Sequence, residues 1–415
     1  LSFALCTVCY AQEPAKAPPD AVRANALLDE YWEWTMREFP QFATLVGDHR
    51  YDDRLKDESA AAVAKRKAFY VDFRTRLADF NPSHLPAQLH TSLQVLRFRL
   101  EQVVARDKLY GALPFATHDK WAPVTQMGGI HLDLPQLAIN SRFRTVGDYE
   151  AYLKRLEAVP PSISHLIARM KAAMAAGWLP PKAAIRNVPK QLEAQVNPDP
   201  TKSPEYSPFN SYPEDITLAE RQRLSMAAQG IIRDKVVPAF KSLKTFYESR
   251  YLPAARTSLG ASSLPPGPPY YQALLDWNTT TTLNPMHIHE RGLREVARIS
   301  AQMDAIVSAT GFKGSREQFR KFISSDPRFF HTKAEDMLAG YRDIAKRADA
   351  ELPKFFAVLP RLPYGIRAMR PEEGNNAEHY TSGSEASGRA GYFEANVNNL
   401  KTRTKWTMET LLLHE

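Results

Sequence analysis

Apolar residues recur every three or four positions over most of this 415-residue chain, which places them on one face of successive α-helices and limits the fold more than any other feature does. The pattern starts near Asp20, with Leu27, Leu28, Tyr31, Trp32 and Met36 on one face, and Phe39-Pro40 ends that helix. Further amphipathic stretches cover 59–80, 87–107, 147–175, 217–249, 285–310, 315–324 and 333–357, each bounded by Pro, Gly or Asn. Asn284-Pro285 is a capping residue followed by proline at the first helical position, and Gly311 stops the helix it starts. Proline-rich stretches at 187–215 and 253–270 break the rhythm as long loops, seams between helical layers.

Only late in the chain does a strand pattern stand out. Gly/Ser-rich residues 380–389 read as a loop in which Ser384 and Ser387 are turn residues, and residues 390–398 mix aromatic and β-branched side chains as a strand does. A helix then begins near Thr407, with Glu409 in its first turn, and carries Leu411, Leu412 and Leu413 into His414-Glu415. The predicted fold is mainly α, a large multi-helix domain over 21–415 with a small β-sheet near its C-terminal end. Loop, strand and apolar His-Glu helix succeed one another as they do around a zincin active site.

At the other end, the apolar run Leu1–Ala11 (LSFALCTVCYA) gives way to the polar, proline-rich Gln12–Pro19. We read 1–11 as the remnant of a secretory signal peptide with cleavage after Ala11, and 12–20 as a flexible leader. Both cysteines of the chain, Cys6 and Cys9, fall in that run, so a processed protein has none, as suits an oxidising compartment. The run is too short to anchor the protein across a bilayer, and no lipoprotein pattern precedes either cysteine, so the sequence points to a periplasmic or secreted protein with no stable membrane span. Charged residues make up 24% of the chain and are mixed in sign along the helices; the net charge of +8 therefore implies no nucleic-acid partner without a binding motif to go with it.

In H-E-x-x-H sites a helix offers a histidine to zinc while the adjacent glutamate polarises the bound water. The dipeptide alone is weak evidence, and the chain has a second one at His289-Glu290, where Leu293 stands one turn on and His287 lies on another side of the helix. We assign His287 and His289 to structure. G-x-S-x-G, P-loop and G-x-G-x-x-G motifs are all missing, which removes serine-hydrolase, nucleotide-hydrolysis and dinucleotide readings. Trp32, Trp34, Tyr270 and Tyr271 read as packing residues.

Taken in order, several short segments resemble a bacterial family, domain of unknown function 885, grouped with the gluzincin-like metallopeptidases. They are Phe39–Gly47 (FPQFATLVG) with Tyr51–Leu55 (YDDRL), Gln126–Pro135 (QMGGIHLDLP), Asp148–Leu156 (DYEAYLKRL) and Gly177–Lys182 (GWLPPK). Tyr270-Tyr271, Ile288–Leu293 (IHERGL), Leu362–Gly365 (LPYG), Gly388–Gly391 (GRAG), Asn396 and Leu413–Glu415 (LHE) complete the series. The resemblance implies a zinc-dependent peptidase acting on a peptide substrate, with His414 the first metal ligand and Glu415 the general base. It also implies that the chain stops inside the metal motif, short of the remaining ligands; His379 and His331 are the first suspects should others be present. The strand at 390–398 maps by order onto the sheet edge that binds substrate, with Arg389, Gly391, Tyr392 and Asn396 around it. Arg389 is read either as the partner of a substrate carboxylate or as a solvent-exposed side chain. The alternative to an enzyme is a non-catalytic periplasmic helical binding or scaffold protein.

Overall fold

The computed structural model describes residues 19–78, 84–111, 113, 115, 120–369, 377–385 and 388–415. The signal remnant, Cys6, Cys9, Ser387 and nearly all of the leader lie outside them. The fold is mainly helical with one small sheet, as the periodicity implies. Contacts divide the chain into two compact units, one of residues up to Ala43 and Arg50–Thr282, the other of Thr44–His49 and Leu283–Glu415. Both proline-rich stretches lie inside the first unit.

That unit begins with α1 (Pro19–Glu38) and α2 (Pro40–Val46), whose last three residues belong to the second unit. It continues through α3 (Ala60–Ala78), α4 (Ala87–Tyr110), α5 (Ile130–Asn140), α6 (Val146–Glu157), α7 (Val159–Ala175) and α8 (Val188–Glu193). After α9 (Leu218–Ile231), α10 (Val237–Phe246) and α11 (Leu252–Ala254), α12 (Pro268–Thr279) closes it. Local chemistry sets the ends. At α6 the Thr145 hydroxyl accepts from the Asp148 N–H at 3.3 Å while the Asp148 carboxylate accepts from the Thr145 N–H at 2.8 Å, a reciprocal capping box.

Residues 217–249, read from sequence as one helix, are interrupted by π turns at Ile232–Val236 and Tyr247–Tyr251. Each π turn is followed two residues later by a proline, Pro238 or Pro253. A proline ring collides with the carbonyl four residues back and offers no N–H, and a widened turn relieves both problems. Pro268-Pro269, read as loop, occupy the first turn of α12, where a missing N–H costs nothing.

One aromatic cluster packs α1 against α3, with the rings of Trp34 and Phe69 stacked at 3.8 Å and Tyr70 and Phe73 beside them. The predicted face of α1 needs correcting here. Trp34 is buried and Trp32 is exposed, its ring edge-on to Phe42. The larger core runs through Tyr149, Tyr152, Leu156, Ile163, Phe209, Leu224, Phe240 and Tyr247.

Arg155, in the last turn of α6, is fully buried and gathers a loop around its guanidinium. Its Nε donates to the Arg54 carbonyl at 3.0 Å, its Nη2 to those of Tyr51 and Pro40 at 3.1 and 3.3 Å, and Nη2 also pairs with Asp52 at 3.2 Å. Five donors in a rigid fork suit a loop that offers several carbonyls and one carboxylate. Arg155→Met is predicted to strand Asp52 and these carbonyls and to destabilise the protein by about 3–5 kcal/mol in chemical denaturation. A loss under about 1 kcal/mol would show that water satisfies the loop equally well.

Candidate functional site

The second unit holds α13 (Pro285–Ala309), α14 (Arg316–Ile323), α15 (Ala334–Phe355) and α16 (Met408–His414), with strands β1 (Tyr364–Ala368), β2 (His379–Thr381) and β3 (Gly391–Ala395). Asn284 caps α13 as its sequence implies, its side-chain oxygen accepting from the His287 N–H at 3.0 Å. His287 and His289 are exposed on that helix.

The three strands form a sheet in the order β1-β3-β2, with β1 parallel and β2 antiparallel to β3. This corrects the expected role of 390–398. β3 is a strand, but it is the central one, and its backbone groups are taken up by neighbours on both sides. Among the described residues the outer strands are β1 and β2.

Tyr341 and Met337 of α15, Phe393 of β3, and Met408 and Leu412 of α16 share one buried cluster, so α15 and α16 pack on the sheet. Glu415 comes three and four residues after Leu412 and Leu411, on the face of α16 that turns towards the sheet. Its carboxylate Oε2 accepts from the backbone N–H of Tyr380, on β2, at 3.1 Å. His414 is exposed. Among the described residues no three His, Cys, Asp or Glu side chains gather closely enough to hold a metal ion, and neither His379 nor His331 joins His414 in such a group. His379 lies with Nδ1 3.3 Å from the Ala377 carbonyl. One imidazole falls short of the three protein ligands a catalytic zinc takes, so the described residues fit only the beginning of such a set.

Beside α16 lies a cavity of about 540 Å³, walled by Leu411, Trp406, Phe330 and Tyr341, with the ion pair of Arg403 and buried Glu378 (Nε to Oε1, 3.2 Å) in its lining. Sequence reasoning missed Glu378, Arg403 and Tyr380, because nothing local distinguishes them from surface residues.

The four residues expected around a substrate are held within the protein. Arg389 donates to the carbonyls of Ser382 at 2.9 Å and Leu45 at 3.1 Å, so its guanidinium fastens the Gly/Ser-rich loop to the segment Thr44–His49. Ser384, more than a turn residue, is buried and donates its hydroxyl to the Val46 carbonyl at 2.8 Å. The Tyr392 ring lies under the Arg367 guanidinium at 4.3 Å. Asn396 is fully buried and accepts from the Asn398 N–H at 3.0 Å. Gly391 makes room for a neighbour: a Cβ there would come within 1.8 Å of the Tyr380 hydroxyl.

Arg367 also joins β1 to β3 through both oxygens of Glu394, and the Thr381 hydroxyl donates to the same carboxylate at 3.1 Å. Burial alone would raise the Glu394 carboxyl; Arg367 and Thr381 outweigh it and hold it below the ordinary range.

Residues 40–415 match the family described as "Bacterial protein of unknown function (DUF885)". The chain belongs to the DUF885 family. No curated protein matches it. This DUF885 chain is similar in structure to a "putative lipoprotein" from Colwellia psychrerythraea, with a TM-score of 0.86 at 20% identity over 95% of this chain and 70% of that one. A second "putative lipoprotein of unknown function", from Shewanella oneidensis, gives 0.55 at 14% identity over 96% and 70%. At these identities the likeness establishes the fold. Among the described residues of this DUF885 protein, no helix is long and apolar enough to cross a membrane.

The packing of Tyr380 over Gly391 generates a double-mutant prediction. Gly391→Ala is expected to destabilise the protein by about 1–3 kcal/mol through overpacking. Most of that cost should vanish in a Tyr380→Ala background, as read by thermal unfolding. An equal cost in both backgrounds would place the strain elsewhere.

Proposed function

We propose that this protein is an exported, zinc-dependent peptidase-like hydrolase in which His414 is a metal ligand and Glu415 the general base. The observation that carries the reading is the position of Glu415: a carboxylate at the end of a short His-Glu helix, 3.1 Å from a backbone N–H of the edge strand β2. A sheet edge is where an extended peptide finds backbone partners, and the cavity beside α16 offers aromatic walls for a side chain. Bound zinc would supply a Lewis acid and lower the pKa of a coordinated water. The reading requires further ligands besides His414. Two structural relatives named as lipoproteins support export, as does the apolar run Leu1–Ala11.

A second reading, a non-catalytic helical binding or scaffold protein, is favoured by one feature. Met286, Leu293, Val296, Ile299, Met303 and Ile306 of α13 are all exposed, an apolar stripe suited to receiving another surface.

Zinc content and peptide turnover of the native protein separate the two. Glu415→Gln preserves size and is predicted to keep zinc near the wild-type level while turnover falls by about two to four orders of magnitude. His414→Ala should lower both together. Near-full turnover in Glu415→Gln with zinc bound would exclude Glu415 as the base. A wild-type protein with no turnover across a broad peptide library would favour the scaffold reading.

A further inference from the structure

The segment Gln126–Pro135 has no part in the His414–Glu415 reading, yet it forms one wall of a separate cavity of about 300 Å³ within the first unit. That volume lies at the small end of the range for ligand sites. Its walls combine two kinds of surface. Phe39, Phe42, Ile130 and Leu166 make an apolar side, and Lys56, Glu58, Lys120, Asp133 and Arg169 line the rest.

The charges are not equivalent. Glu58 is already neutralised, by an ion pair with buried Arg169 and by Lys56, whose Nζ is 3.4 Å away. Arg169 is further fixed by donating to the Lys120 carbonyl at 2.8 Å, and Lys56 also lies over the Phe39 ring at 5.6 Å. These three groups, two cations around the one carboxylate of Glu58, form the floor. Asp133 and Lys120 are different. Both are exposed, and no ion pair within 4 Å occupies either of them among the described residues. Lys120 is near enough to act on the Asp133 carboxylate electrostatically, and the Gly129 N–H supports the same group. Packing behind Asp133, with Glu58 nearby, nevertheless holds its carboxyl above the ordinary range.

Gly129 shapes the wall between them. Its φ of +136° belongs to the region that glycine tolerates, and a Cβ there would come 2.8 Å from the Pro123 carbonyl, so the backbone turns tightly into α5 at this point. The result places one available carboxylate and one available ammonium beside an apolar recess.

We propose that this cavity binds the zwitterion of an α-amino acid or short peptide with an apolar side chain, the ligand's ammonium at Asp133, its carboxylate at Lys120 and its side chain between Phe39 and Phe42. Opposite charges beside one apolar recess select a molecule that carries both, and the aromatic pair selects against a polar side chain. The site lies wholly within the first unit and is independent of the metallopeptidase reading.

Calorimetric titration of the full chain with L-phenylalanine tests it, with N-acetyl-L-phenylalanine lacking the ammonium and L-phenylalanine amide lacking the carboxylate as controls. Saturable binding of L-phenylalanine is expected, weakened about tenfold or more in each control and in Asp133→Asn and Lys120→Met. Asparagine retains an acceptor for the Gly129 N–H, and Lys120 is exposed, so unchanged circular dichroism and melting should accompany the loss; if one variant fails to fold, the other carries the test. Absence of saturable binding overturns the proposal. So does wild-type affinity in both variants, or for both controls.

Discussion

Burial of Met408 and Leu412 against Tyr341 and Phe393 is the contact on which the geometry of the candidate site depends. A helix of seven residues has no independent stability in water, so α16 exists because the sheet and α15 receive its apolar face. Each such side chain contributes about 1.5–3 kcal/mol when fully buried. Once that face is fixed, helical geometry leaves little freedom to the two residues at its end. Glu415 reaches the backbone of β2, and His414 follows about 100° around the axis; both side chains are exposed. The sheet in turn is held by Glu394, whose carboxylate collects Arg367 from β1 and Thr381 from β2 while standing on β3.

The first unit uses the same device on a larger scale. Arg155, fully buried in α6, and Arg169, nearly so in α7, turn toward loop carbonyls and carboxylates that the helices could not otherwise hold. A buried guanidinium is expensive to desolvate, and it is tolerated only where carbonyls and carboxylates offset that cost. Arg155 meets that requirement with carbonyls from three residues and Asp52. Arg169 meets it with Glu58 and the Lys120 carbonyl, and in doing so builds the floor of the cavity at Asp133. Arg169 thus both holds a loop carbonyl and lines the cavity.

The helices were legible because period and caps are local. Asn284-Pro285 announces α13 within one residue, and Thr407 stands immediately before α16. The sheet was only partly legible. β3 has its pattern in one run of aromatics, but β2 is three residues long beside a Gly/Ser-rich loop, and β1 pairs with a strand more than twenty positions away. Which strand lies in the middle is decided by those distant pairings, and so the substrate-edge role given to 390–398 could not be checked in sequence. The intramolecular partners of Arg389, Gly391 and Asn396, which are the Leu45 carbonyl, the Tyr380 ring and the Asn398 N–H, are likewise set by pairings that no local pattern announces. Helix α5 escaped notice because Pro135 lies inside it and Gly128-Gly129 precede it, both of which read as loop.

Metal binding by His414 is the central claim. Anomalous diffraction at the zinc absorption edge, from crystals of the native protein purified with its metal, addresses it without reference to any substrate. The expected result is a zinc peak about 2.0–2.1 Å from an imidazole nitrogen of His414, with the Glu415 carboxylate nearby but outside the coordination sphere. Zinc bound elsewhere with His414 uncoordinated, or a protein that retains no zinc, would contradict it.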